Sequence, residues 1–172
     1  MAAPVLKRGL SPVVPANARI LLLGSFPGEE SLRQEQYYAH PRNQFWRLLG
    51  DILETPLADL PYSRRLQRLT KLRIGVWDII THCERDGSLD GDIRNPSLSQ
   101  FDWLPKHAPR LRVIAMNGKK AGTAAARLDA LGYRTIVLPS SSPAYTLPYA
   151  EKLAAWRAIR SCLDERPGSR PR

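Results

Sequence analysis

Apolar residues in this chain come in short solid runs, each followed by polar sequence marked with Gly or Pro. Arg19–Leu23 (RILLL), Ile74–Ile80 (IGVWDII), Arg112–Met116 (RVIAM) and Arg134–Leu138 (RTIVL) have the length and composition of buried strands. Between them the apolar positions recur at helical spacing. Over Asn43–Leu53, Phe45, Leu49 and Ile52 share one stripe, with Trp46 and Leu53 beside it. Over Ser63–Leu72, Leu66 and Leu69 face inward, while Arg64, Arg65, Arg68 and Lys71 face solvent. A short helix is predicted around Ser99–Lys106; Asn117-Gly118 closes the RVIAM strand, and a small-residue helix follows to Leu131. A last helix over Tyr149–Asp164 buries Leu153, Trp156, Ile159 and Leu163.

Strands alternating with helices predict an α/β three-layer sandwich around a central, mostly parallel sheet of about four strands. A monomer is expected. Residues 1–18, with Pro4, Pro12 and Pro15, read as an irregular N-terminal segment, residues 19–165 as a single domain, and residues 166–172 as a basic, disordered tail. Gly24–Pro41, Thr81–Ser97 and the PSSSPAYTLP segment from Pro139 read as loops. Open parallel sheets hold their ligands at the carboxyl ends of the strands. Chemistry is therefore expected in the segments that begin at Gly24 and at Pro139.

Charge sharpens this picture. Twenty-six Lys and Arg against 16 Asp and Glu give a formal net charge of +10. Such an excess points to a polyanionic partner, because Lys and Arg that neutralise phosphates release condensed counterions. The two cysteines cannot furnish an all-thiolate metal site and read as free thiols in a reducing compartment. Met1–Leu10 lacks the apolar core of a signal peptide, and no stretch approaches the ~20 apolar residues of a membrane span. The expectation is a cytoplasmic, nucleoid-associated protein with no membrane partner.

The segment LGSFPGEESLRQEQYYAHPRNQFW, Leu23–Trp46, carries the most specific pattern. Its Gly-x-x-Pro-Gly turn and later Ala-His-Pro-x-Asn-x-Phe-Trp run resemble the mismatch-specific uracil-DNA glycosylases. Gly-Ser-x-Pro followed by Tyr-Tyr-Ala-His-Pro-Arg-Asn resembles the hypoxanthine-DNA glycosylases of the same superfamily more closely. VWDIITHCERDGSLDGDIRNP from Val76, VIAMNGKKA from Val113 and LPSSSPAYT from Leu138 extend the resemblance to roughly residues 19–163. It implies a monofunctional glycosylase that flips a deaminated base out of DNA and cuts its N-glycosidic bond with water. Hypoxanthine is the favoured base, with uracil and xanthine the runners-up. No cofactor and no metal are implied. A non-catalytic nucleic-acid-binding module on the same fold is the alternative.

One departure bears on mechanism. Relatives with a Gly-x-Asn-Pro-Gly turn use its Asn in catalysis, and here that position is Phe26. The loop before the last helix has neither His nor Asn, only Ser140, Ser141 and Ser142. The resemblance to the hypoxanthine branch moves the catalytic role to Asn43. Read from the residues alone, Asn43 is equally a helix cap. The resemblance makes Tyr38 the aromatic that stacks on the flipped base, with a core tyrosine as the alternative. Phe26 reads as a pocket wall or floor, or as core. Gly24, Ser25 and Gly28 let the backbone approach the base. Arg42, Lys119, Lys120 and Ser140–Ser142 are expected to bind phosphate, and Tyr145 to wedge into the vacated stack or to pack. His40 and Asp78 are accessory candidates: His40 as loop organiser or acid–base group, Asp78 as loop anchor or pocket group.

Overall fold

The computed structural model describes residue 3 and residues 5–165; the expected tail at 166–172 lies outside the described residues. The strands are β1 (Leu6–Arg8), β2 (Ile20–Gly24), β3 (Ile74–Asp78), β4 (Ile80–Glu84), β5 (Arg94–Leu98), β6 (Val113–Asn117) and β7 (Arg134–Leu138). The helices are α1 (Glu29–Gln34), α2 (Phe45–Leu53), α3 (Tyr62–Leu72), α4 (Leu104–His107), α5 (Lys119–Gly122), α6 (Ala125–Ala130), α7 (Tyr149–Trp156) and α8 (Ala158–Asp164). Four parallel strands form the central sheet in the order β3-β2-β6-β7, as the apolar runs predict.

The solid apolar runs follow from burial on both faces. Ile20 and Leu22 point into one core with Val76 and Ala115, under Phe45, Leu48, Leu49 and Trp156 of the helices. Leu21 and Leu23 point into the other with Trp77, Ile114 and Met116, under Leu104, Ala121 and Leu128. With successive side chains on opposite faces, a strand covered on both sides has no polar position to spare.

Several expectations need correction. Residues 1–18 are not wholly irregular, because β1 joins an antiparallel three-stranded sheet in the order β1-β4-β5. That sheet also takes up both ends of the expected Thr81–Ser97 loop, leaving the segment between β4 and β5 as the loop. The Gly24–Pro41 segment contains α1. The last helix breaks at Arg157 into α7 and α8, and the small-residue helix is likewise two short ones, α5 and α6. Trp156 and Ile159 are buried as expected, while Leu153 and Leu163 are only partly covered.

The parallel register sets the stage for the site. Gly24 lies opposite Asp78, and Asn117 opposite Leu138, so the carboxyl ends of all four strands line up along one edge. The β4–β5 hairpin carries its loop to the same edge.

Candidate active site

A cavity of about 960 Å³ opens along that edge. Every residue singled out from the sequence lines it: Gly24, Ser25, Phe26, Gly28, Tyr38, His40, Arg42, Asn43, Asp78, Lys119, Lys120, Ser140, Ser141, Ser142 and Tyr145.

The floor is built where β2 meets β3. A Cβ on Gly24 would lie 2.5 Å from Asp78 Oδ1 and 2.8 Å from the Tyr38 hydroxyl, so only glycine leaves room for all three groups. By hydrogen-bond geometry neither the buried Tyr38 hydroxyl nor the buried Asp78 Oδ2 has a partner, although the Asn117 side chain lies near enough to Tyr38 to act on its phenol. Orphaned buried polar atoms cost about 1–3 kcal/mol each unless a ligand satisfies them. Burial, with the charge of Asp90 nearby, raises the Asp78 carboxyl to about 7. Burial, then the charge of Asp78, pushes the Tyr38 phenol upward as well.

Tyr38 holds a backbone φ of 53°, a left-handed conformation that bulky residues rarely adopt. Its ring stacks on Phe45 at 3.8 Å between centroids and 10° between planes. An observed outlier of this kind costs on the order of 1–3 kcal/mol and is concentrated at functional sites. Phe26 is only 6% exposed, with Arg85 over its ring at 5.1 Å. It serves at once as core and as pocket lining.

Asn43 sits in the turn before α2. Its Oδ1 accepts the backbone N–H of Phe45 at 2.9 Å and the hydroxyl of Ser141 at 2.9 Å. A backbone N–H only donates, so the atom facing it is the oxygen and the amide orientation is fixed. Ser141 in turn accepts a hydrogen bond from Asn117 Nδ2 at 2.8 Å and donates its backbone N–H to Asn117 Oδ1 at 2.9 Å. Both oxygen lone-pair directions of Asn43 are thus taken, and its Nδ2 hydrogens have no partner among the described residues. The N-cap of α2 is Gln44 rather than Asn43; Asn43, one residue earlier, instead closes a turn onto the first helical N–H.

The two accessory candidates and the three serines separate clearly. His40 is exposed; its Nδ1 accepts the Arg42 N–H at 3.1 Å and its carbonyl accepts the Asn43 N–H at 2.9 Å, so it organises the turn. Asp78 faces the pocket. Ser141 is 0% exposed, and its hydroxyl is committed to Asn43 and Asn117. It offers no hydroxyl to a phosphate, which corrects the expectation of three equivalent serines. Ser140 and Ser142 are half-buried on the rim with Lys120, while Arg42, Lys119 and Tyr145 are exposed.

Three contributors were not foreseen. Asn117 read only as the end of a strand, although strand ends on this edge are where sites form. The β4–β5 loop brings Ser88, Leu89 and Asp90 to the rim. It is tied down by Ser25 Oγ donating to Asp90 Oδ1 at 2.6 Å and by Glu29 N–H donating to Ser88 Oγ at 2.9 Å. Lys152, 1% exposed on α7, lies beneath the serine loop. Among the described residues, no cluster of three or more His, Cys, Asp or Glu is placed to hold a metal ion, and no helix is long and apolar enough to cross a membrane.

A pocket at the carboxyl edge of a four-stranded parallel sheet, floored by Gly24 and rimmed by the Asn43 turn, defines a recognisable class. The profile of the Uracil DNA glycosylase superfamily matches residues 11–161, and the chain belongs to that superfamily. A protein of Methanosarcina barkeri described as a hypoxanthine DNA glycosylase is 41% identical over 150 residues, 87% of this chain and 95% of that protein. A Methanosarcina acetivorans protein with the same description is 41% identical over 155 residues, 90% and 98% of the two chains. The solution NMR structure of a Methanosarcina acetivorans protein superposes with a TM-score of 0.85 at 40% identity. It covers 94% of this chain and is itself covered completely.

Proposed function

We propose that this chain is a monofunctional DNA glycosylase that flips a deaminated base, hypoxanthine foremost, into the pocket and hydrolyses its N-glycosidic bond. The observation that carries the reading is the fixed amide of Asn43, its hydrogens free at the rim of a pocket whose floor holds two unsatisfied polar atoms. Similarity to proteins described as hypoxanthine DNA glycosylases supports the choice of base.

The flipped base lies against Tyr38, whose ring Phe45 backs at 3.8 Å. Phe26 closes the far side, and the backbone at Gly24, Ser25 and Gly28 frames the base edge. Asp78, raised to about 7, keeps its proton at mildly acidic pH and is about half protonated at neutral pH. It donates that proton to an acceptor on the purine edge, such as N7 or O6, where negative charge grows as the bond breaks. Adenine presents an amino group in place of O6, which a donor does not welcome.

Asn43 acts as a donor, because both oxygen lone pairs are occupied. Its Nδ2 hydrogens hold a water by its oxygen and stabilise charge near the breaking bond, a preorganised dipole rather than a base. The base leaves first with the Asp78 proton; the held water then captures the oxocarbenium-like sugar and releases its own proton to the Asp78 carboxylate or to solvent, with DNA phosphates stabilising the cation. Arg42, Lys119, Lys120, Ser140 and Ser142 hold the backbone, and Tyr145 fills the gap in the stack. The reading carries with it a monomer acting in the cytoplasm at the nucleoid.

The test is direct. Purified protein is incubated with labelled oligonucleotides carrying hypoxanthine, uracil or xanthine, then treated with alkali. Alkali-dependent breaks at hypoxanthine are expected, and the other two lanes rank the remaining bases. Binding without breaks in any lane would leave only a nucleic-acid-binding module.

A further inference from the structure

Lys152 is a buried cation with no ion pair among the described residues. It sits on α7 four residues before the core tryptophan Trp156, at a position where Leu or Met would pack. Taking an ammonium out of water is costly, and only neutral groups offset that here. Its Nζ donates to Gln44 Oε1 at 3.0 Å and to the Ser142 carbonyl at 3.2 Å, and lies 5.4 Å from the centre of the Tyr145 ring.

The partners explain the expense. Gln44 follows Asn43 in the turn before α2. Ser142 and Tyr145 belong to the loop after β7 on the opposite rim. Gln44 also donates its N–H to the Ser141 carbonyl at 3.0 Å, so the two segments are already stitched once at this point. The ammonium adds charge-assisted bonds to both sides and a cation–π contact to the one exposed aromatic of the loop, 44% exposed at the pocket mouth.

We propose that Lys152 is a positioning residue: its buried ammonium fastens the Tyr145 wedge to the turn before α2, so that this turn, with Asn43 already held by Phe45 and Ser141, braces the wedge while the base stack opens. This rests on the glycosylase reading above. An apolar side chain of the same length fills the volume and lacks the fastening. The defect then falls on extrusion of a stacked base, not on bond cleavage once the base is free.

The experiment is single-turnover excision by Lys152→Met on two substrates, hypoxanthine paired within a duplex and the same hypoxanthine in an unpaired single strand. Loss of the fastening slows the duplex reaction by about tenfold or more, while the unpaired substrate is cut near the wild-type rate. Tyr145→Ala slows the duplex reaction at least as much, and the double variant is no slower on duplex than the slower single one, since coupled residues are non-additive. Should Lys152→Met fail to fold in a thermal melt, Gln44→Met removes one acceptor and leaves α7 intact, with the same selectivity expected. An unchanged duplex rate, equal losses on both substrates, or strictly additive effects would overturn the proposal. A wild-type protein that releases no hypoxanthine from either substrate would instead overturn the glycosylase reading, and the proposal with it.

Discussion

Ser141 donates its hydroxyl to Asn43 Oδ1 across 2.9 Å, joining residues 98 positions apart in sequence. The serine of a loop expected to hold phosphate is instead what aims the amide. Ser141→Ala frees one lone pair of Asn43 and leaves Asn117 Nδ2 without its acceptor. The expected result is a loss of about tenfold or more in single-turnover excision, since one preorganised hydrogen bond is removed at one remove from the chemistry. DNA affinity stays near that of the wild type, and Ser141→Thr recovers much of the rate. Weakened DNA binding with an unchanged rate would return Ser141 to the phosphate contacts.

The Asp78 carboxyl supplies a pH dependence. Burial raises it from its ordinary 3.8 to about 7. Excision that needs its proton is fast below about 7 and falls as pH rises through that value. Stability follows the same sign. The unfolded chain gives up this proton near 3.8 and the folded one near 7, so the group's contribution is full at low pH and is lost as pH rises through about 7. Asp78→Asn removes both dependences. Rate–pH profiles of the two proteins check the first and thermal melts across pH the second.

Gly24 is required for space rather than for backbone freedom. A methyl there would stand 2.5 Å from Asp78 Oδ1 and 2.8 Å from the Tyr38 hydroxyl. Gly24→Ala is expected to displace both groups, to cost about 1–3 kcal/mol through overpacking and to abolish hypoxanthine release. Melting temperature and excision rate are the two readouts.

Arg42, Lys119 and Lys120 stand on the pocket rim. If each neutralises a phosphate, replacing any one by Ala lowers the slope of log affinity against log salt by about one unit. A titration over several salt concentrations measures this, and slopes that do not change would take these residues off the DNA path.

The strands β3, β2 and β6 were readable because burial on both faces forces unbroken apolar runs, while β7 at the sheet edge is largely uncovered. The second sheet was not readable in this way. β5 reads Arg-Asn-Pro-Ser-Leu with all five residues exposed, and β1 has only three residues, so neither carries an alternation to detect. The break at Arg157 was equally silent, for no Gly or Pro marks it. At the site, the Tyr-Tyr-Ala-His-Pro-Arg-Asn run and the strand-end rule led to the residues that line the cavity. The direction of the bonds between them was hidden. A serine at 141 looks like its neighbours until Asn117 is placed beneath it, and an isolated Lys152 in a helix reads as solvent-facing until the loop above it is folded.

The most direct measurement is single-turnover excision of hypoxanthine by Asn43→Ala, alongside its DNA affinity and its melting temperature. Loss of one preorganised donor costs on the order of 10²–10³ in rate. Loss of the bond to the Phe45 N–H, 2.9 Å in the folded protein, costs about 1 kcal/mol of stability. The account predicts a folded variant that binds DNA nearly as the wild type does and releases hypoxanthine at least a hundredfold more slowly, that bound again being on the order of one lost dipole. A folded variant that excises hypoxanthine at close to the wild-type rate would contradict it and leave Asn43 only the residue that closes the turn before α2.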